Sequence, residues 1–346
     1  MQEKFNWRKR IIPIAFVAGL FIYFPIWRWL RQDENLELIH LQGQTMGTTY
    51  SIKYRLPEAV DYQTEIDTLL QGFNQCLSTY VPDSELSQFN RLGNWTFESP
   101  YFYPVLHKSQ EVYQASSGAF DPTVMPLVKA WGFGPGEAQE LDSARVDSLL
   151  AFVGWEKISF DSLKLRALHP GVQLDFSAIA KGYGCDVVAD YLKAKGVRHL
   201  MVEIGGEVVC QGLNAENNTW RIGIDHPETY LSAKPMAATL TLADKAVATS
   251  GNYRNYVDKG GQRLAHTINP KTGYAIPSNL LSATVVATDC ITADAWATAL
   301  MVMGARKAIS TVEQHSELEA FLIFTDSLGE FSTYTTEGLK SDLVLE

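Results

Sequence analysis

A crowd of apolar, strand-like runs between His199 and Ala287 limits the fold more than any other feature of this chain. They are His199–Glu203, Glu207–Cys210, Trp220–Asp225, Ala238–Leu242, Ala246–Thr249 and Ser282–Ala287. Parallel neighbours need long crossovers, whereas antiparallel ones close through short turns such as Gly205-Gly206. Helical patterns are grouped beside these strands. Ile66, Leu69, Leu70, Phe73 and Leu77 mark one face of a helix that starts near Asp61. Val105, Leu106, Val112 and Tyr113 mark a second, closing at Gly118. Asp142 opens a third, with Leu149, Leu150 and Val153 inward. Thr49–Tyr54 alternates as a strand would, after Met46-Gly47. Cys290–Met303 reads as a further helix, Ala320–Phe324 as a buried strand, and Phe331–Tyr334 as its candidate hairpin partner. The class is α+β, an antiparallel-rich mixed sheet packed with helices. One continuous catalytic domain over 44–346 is expected, because the candidate site draws on both halves.

The N-terminus is a separate object. Lys4, Arg8, Lys9 and Arg10 form a basic segment, 1–10, ahead of the uncharged run Ile11–Trp27. That run is about 17 residues, the short end for a membrane span. Trp27 and Trp29 suit the interface, and Arg28 and Arg31 can snorkel. Segment 11–30 is read as a single-pass signal-anchor in a bacterial inner membrane. Segment 31–43 is read as a polar tether. The positive-inside rule puts 1–10 in the cytoplasm and the catalytic domain on the periplasmic side. A cleaved signal peptide is the rival, although no small-x-small cleavage site is evident.

Composition narrows the partners. The formal charge is −10, which argues against general nucleic-acid binding. It also means that an anionic ligand needs local positive potential. Cys76, Cys185, Cys210 and Cys290 are widely spaced and suggest neither a zinc site nor a disulfide framework.

Two distant segments carry the chemistry. Leu174-Asp-Phe-Ser-Ala-Ile-Ala-Lys-Gly-Tyr-Gly-Cys-Asp186 follows a strand-like Gly171–Leu174. Ser177 is expected to cap a helix carrying Ile179, Tyr183, Val187 and Tyr191, with Lys181 in its first turns and its end at Gly196. A helix start offers free N–H groups to an anion, and Gly182 and Gly184 imply close packing. In Thr288–Met301, Thr288 or Asp289 is the expected N-cap, and Asp294 and Thr298 share a helix face. A carboxylate and a hydroxyl are hard ligands that suit magnesium completed by waters and phosphates. An ordinary Asp–Thr hydrogen bond would also explain the pair. Between these segments, His266-Thr-Ile-Asn-Pro-Lys-Thr-Gly273 reads as a turn with a histidine at its start, either solvated or a general base.

With these runs in view, the chain resembles the ApbE family of flavin transferases, which move FMN from FAD onto a protein threonine using magnesium. The matching runs include Thr45–Thr48, Leu77–Tyr80, Ser84–Asn90, Ser117–Thr123, Asp175–Asp186, Glu203–Gly206, Thr249–Asn252, His266–Gly273 and Asp294–Thr298. The resemblance implies that Met46, Tyr80, Ala119, Phe120, Asp121, Asp175, Lys181 and Ile268 contact FAD. It also implies that magnesium is held by Asp294, Thr298 and the carbonyls of Ala178 and Ala297. A carbonyl in a regular first turn points along the helix, so a metal at Ala178 requires distorted backbone there. His266 is the candidate base for the acceptor threonine. The implied partners are FAD and an exported or membrane flavoprotein. An FAD pyrophosphatase at the same site, a non-catalytic flavin-binding protein and a membrane-tethered scaffold are the alternatives.

Overall fold

The structure, a computed structural model, describes residues 36–136, 138–227, 236–251, 256–259, 262–265, 267–275 and 279–346. The basic segment, the expected anchor and His266 lie outside the described residues. No helix among the described residues is long and apolar enough to cross a membrane.

An eight-stranded sheet organises the described residues. Its strands are β1 (Glu37–Thr45), β2 (Thr48–Leu56), β3 (His199–Ile204), β4 (Glu207–Gln211), β5 (Lys245–Gly251), β6 (Leu280–Ala287), β7 (Glu319–Thr325) and β8 (Phe331–Thr335). They lie side by side in that order, and every neighbouring pair is antiparallel. Tight turns make the β1–β2 and β3–β4 hairpins. The longer connections leave the sheet and return to the adjacent position. The sheet, expected to be mixed, is antiparallel throughout among the described residues, and the parallel bridge between Val124 and Gln173 lies outside it.

Three helices cover one face: α1 (Gln63–Leu77), α2 (Ala180–Ala194) and α3 (Cys290–Met303). On the opposite face a three-stranded sheet of Trp220–Asp225, Met236–Leu242 and Leu343–Leu345 covers the middle strands. Strands covered on both sides have no polar face, so β6 is buried almost throughout. Along β5 the alternation is direct. Val247 packs toward the small sheet, while Ala246 and Ala248 pack toward the helices.

Several expectations are corrected. Residues 37–43, assigned to the tether, belong to β1, paired with β2 along its whole length. Only Leu41 and Thr45 of this edge strand are buried, so its polar outward residues imitate a linker. Gly171–Leu174 is not a sheet strand. The Asn90 side chain donates to the Leu174 carbonyl (2.8 Å) and accepts its N–H (2.7 Å), satisfying the backbone as a neighbouring strand would. Ser177 does not cap α2, which begins at Ala180. The Asp175 carboxylate instead accepts from both the N–H (2.9 Å) and the hydroxyl (2.5 Å) of Ser177, making a local turn ahead of the helix. Of the apolar residues noted for this helix, Ile179 is buried, and Tyr183, Val187 and Tyr191 are half-buried. The deeper face is Gly182, Gly184, Cys185, Val188, Ala189 and Leu192, whose small side chains admit α3 and the sheet. Met46-Gly47 is a two-residue hairpin turn with φ of 50° and 73°.

Helix α3 is apolar around most of its circumference, as a helix buried on several sides must be. Its start is clamped to α2. Asp289 accepts from the Thr292 N–H at 2.9 Å as the N-cap. Asp186 reaches across from α2 to accept from the N–H groups of Cys290 (2.9 Å) and Ile291 (2.8 Å). All four cysteines are free and buried.

The α2–α3 contact sets a demand on Gly182. A Cβ there would lie 2.3 Å from the Cys290 carbonyl oxygen and 2.7 Å from Asp294 Cβ. Gly72, inside α1, would meet nothing within 4 Å. Gly182→Ala is therefore expected to lower stability by about 1–3 kcal/mol through overpacking. Gly72→Ala is expected to raise it by about 0.5–1 kcal/mol by removing glycine from a helix interior. Urea unfolding midpoints of the two variants check both signs.

Candidate active site

The site is built where the start of α2 meets the buried face of α3. Asp294 is a charged residue with 2% exposure, surrounded by alanines of its own helix. A buried carboxylate demands donors. It finds one in the backbone N–H of Gly182, which donates to Asp294 Oδ2 at 2.9 Å. In a regular helix that N–H would bond the carbonyl four residues back, that of Ala178. Ala178 lies before the first turn, and the next residue, Ile179, has φ −152° and ψ −22°, far from helical. The Phe176 carbonyl takes the N–H groups of both Ile179 (3.0 Å) and Ala180 (2.8 Å). The backbone just ahead of α2, at Ile179, is thus irregular.

Thr298, one turn along α3 from Asp294, has its hydroxyl 3.2 Å from the Ser250 hydroxyl at the end of β5. Ala297, beside it, is buried. Among the described residues no group of three or more His, Cys, Asp or Glu side chains could hold a metal. The available donors are one carboxylate, one hydroxyl and backbone carbonyls, a hard-oxygen set that suits a divalent cation sharing its shell with water and phosphate.

Lys181 stands beside Asp294. Its ammonium makes a 2.6 Å ion pair with Glu207, the first residue of β4. Burial pulls the Lys181 pKa down, but the Asp294 and Glu207 carboxylates outweigh it and the net direction is up, so the ammonium stays charged. Burial pushes the Glu207 carboxyl up, against the pull of Lys181. Two hairpin turns close over this point. The N–H of Gly205, in the β3–β4 turn, donates to the Thr49 carbonyl at 3.1 Å. Met46 projects from the β1–β2 turn onto α2, where a Cβ at Gly184 would lie 2.6 Å from Met46 Cε. A methionine held at φ 50° is unusual. The hairpin supplies the conformation and the glycine supplies the space.

The other expected FAD contacts form a second group, joined to the first by the turn at 175–178. The Asp175 N–H donates to the Pro122 carbonyl (2.8 Å), which brings the 119–121 segment alongside. Ala119, Phe120 and Asp121 are buried. Asp121 accepts from the N–H (2.9 Å) and hydroxyl (2.7 Å) of Thr123, and burial pushes its carboxyl up to about 6 against those bonds. Burial also raises the Asp175 carboxyl, opposed by Ser177 and Lys129. Tyr80 is 65% exposed, an aromatic face open to a ligand and not a core residue. Its hydroxyl donates to the Phe133 carbonyl at 3.4 Å. Ile268 is buried against Leu127, Ala130, Val146 and Leu149, in a short bridge with Ala275. The Trp131 indole ties that segment to helix Met125–Trp131 by donating to the Gly273 carbonyl (2.8 Å).

Sequence reading missed Glu207, Asn90 and Ser250. Glu207 had a signal: a carboxylate opening the apolar run Glu207-Val-Val-Cys210 is out of place unless it has a partner.

The chain is similar to known proteins over most of its length. The family model described as the ApbE family matches residues 46–322. The FAD:protein FMN transferase of Vibrio cholerae serotype O1 is 38% identical, over 97% of this chain and 98% of its own length. That of Haemophilus influenzae is 38% identical over 85% and 89%. The solved structure of the flavin transferase ApbE from Vibrio cholerae superposes with a TM-score of 0.81 at 38% identity, covering 89% of this chain and 99% of that one. The match spans both halves of the site, from Met46 through the helix that carries Asp294, and the chain belongs to the ApbE family.

Proposed function

We propose that this chain is a magnesium-dependent FAD:protein FMN transferase that passes FMN to a threonine hydroxyl of an acceptor flavoprotein and releases AMP. The observation that carries the reading is the Gly182–Asp294 hydrogen bond beside the irregular backbone at Ile179. That bond joins the start of α2, which carries Lys181, to the Asp294 carboxylate 112 residues away, and this supports the reading. Asp294, Thr298 and the carbonyls of Ala178 and Ala297 would hold the cation. When bound, magnesium would neutralise charge on the pyrophosphate and on the departing phosphate.

The residues of the chain divide the remaining work. Lys181 faces the pyrophosphate and places positive charge in an otherwise acidic protein. Met46 and Tyr80 offer a thioether and an aromatic face for the flavin or adenine ring. Ala119–Asp121, Asp175 and Ile268 shape the walls. The threonine oxygen bonds to the FMN phosphorus as the bond from that phosphorus to the bridging oxygen breaks, and AMP leaves with that oxygen. His266 takes the threonine proton. Hydrolysis at the same site is the second reading, with water in place of threonine. A flavin carrier without bond cleavage gives the buried Asp294 nothing to do. The catalytic domain works outside the cytoplasmic membrane, held by segment 11–30.

Asp294→Ala is expected to reduce transfer by at least about 10²-fold, because a metal-held charge supplies several kcal/mol. The fold should persist, since the Gly182 N–H can turn back to the Ala178 carbonyl. Thr298→Ala should be milder, as water can replace a hydroxyl. Single-turnover transfer at limiting magnesium, with protein-bound and free FMN counted separately, checks both and separates transferase from hydrolase. Near-normal turnover in Asp294→Ala means that the site is misplaced.

His266→Ala should slow transfer by roughly 10²–10⁴-fold with little change in FAD affinity. A variant that transfers normally, or that cannot bind FAD, removes the base assignment. A reporter fused after residue 346 should be active only on the exported side, with the chain resisting extraction by alkaline carbonate. A soluble mature chain starting near residue 30 would show a cleaved signal instead.

A further inference from the structure

We infer that Glu207 is the positioning residue for Lys181: it fixes the ammonium so that its remaining donors face the pyrophosphate. The inference rests on the transferase reading of this site and adds a residue to it.

Glu207 is 4% exposed, and burying a carboxylate is costly without a partner. Oε1 has that partner in the Lys181 ammonium at 2.6 Å. Oε2 is buried with no hydrogen-bond partner among the described residues. An orphaned acceptor beside a cation-and-phosphate site is where a cation-bound water would donate.

The same short segment holds the lysine along its length. A Cβ at Gly205 would lie 3.2 Å from Lys181 Cδ and 2.8 Å from Thr48 Cγ2, so the β3–β4 turn grips the stem while Glu207 grips the head. The turn is itself pinned, with the Gly206 N–H donating to Glu203 Oε1 at 2.7 Å. Cys185, one turn along α2 from Lys181, donates its thiol to the Glu207 carbonyl at 3.3 Å and ties the backbone of β4 to the helix. An ammonium has three donors on a flexible stem. With one taken by Glu207, the directions of the other two are set before FAD arrives, which is the preorganisation that phosphoryl transfer requires.

The alternative is a carboxylate that acts only as charge. It would repel the pyrophosphate, so its removal would tighten FAD binding. Positioning predicts slower transfer without tighter binding, and an effect that exists only while Lys181 is present.

The test is a double-mutant cycle over Lys181→Ala and Glu207→Gln in the full chain. It measures FAD Kd from flavin fluorescence, with and without magnesium, and single-turnover FMN transfer. Glutamine keeps the size of the side chain and removes its charge. Glu207→Gln should slow transfer about tenfold to a hundredfold beside Lys181, and less than about twofold in the Lys181→Ala background. FAD Kd should stay level or rise. Equal slowing in both backgrounds, or a lower Kd, overturns the inference. If glutamine prevents folding, Glu207→Asp takes its place. It keeps the charge, withdraws the carboxylate by one methylene and carries the same expectations. A wild type that binds FAD but moves no FMN sinks the transferase reading, and the Kd half of the cycle still decides the role of Glu207.

Discussion

The backbone N–H of Gly182 donates to a carboxylate that α3 carries in its apolar interior, and the geometry of the candidate site hangs on this bond. Asp294 cannot be buried among alanines without a donor. The Gly182 N–H cannot reach Asp294 unless α2 and α3 approach closely, which only glycine permits at that position. Diverting that N–H leaves the first turn of α2 irregular and the Ala178 carbonyl without its usual donor. Asp186 then holds the start of α3 against α2, while Asp289 caps α3 itself, so the approach is clamped near Gly182.

Charge follows the same logic. The protein carries a formal charge of −10, yet its proposed substrate is a pyrophosphate. Lys181 is the local answer, and it stands between Asp294 and Glu207, which keep it protonated. Three groups with a net negative charge do not attract an anion by themselves. The hard-oxygen donors of α3 and of the Ala178 turn accommodate the further positive charge that the arrangement needs.

Much of this was legible in the residues. Most strands of the main sheet announced themselves as apolar runs with short turns, and the span of α3 was readable, with Asp289 one of two candidate caps. Gly182 and Gly184 signalled close packing, and both prove to be contact points. What was hidden depended on tertiary partners. β1 imitates a linker because an edge strand buries few residues. The extended segment before Asp175 has Asn90 in place of a strand neighbour, a pairing that no local pattern announces. The buried face of α2 is rich in small residues because the helix is packed closely on two sides, and only its glycines announced that. The shift of the α2 start from Ser177 to Ala180 follows from a local competition, in which the Asp175 side chain captures Ser177 before the helix can use it.

The central claim is that the start of α2 and the buried face of α3 form one cation-and-phosphate site. Crystals of the protein grown with FAD and Mn²⁺ in place of magnesium test it directly, since manganese is located by its anomalous scattering. The account predicts one strong peak within about 2.5 Å of both the Asp294 carboxylate and the Thr298 hydroxyl, with the FAD pyrophosphate completing its shell. A peak elsewhere on the molecule, or FAD bound in full with no metal at Asp294, would contradict it.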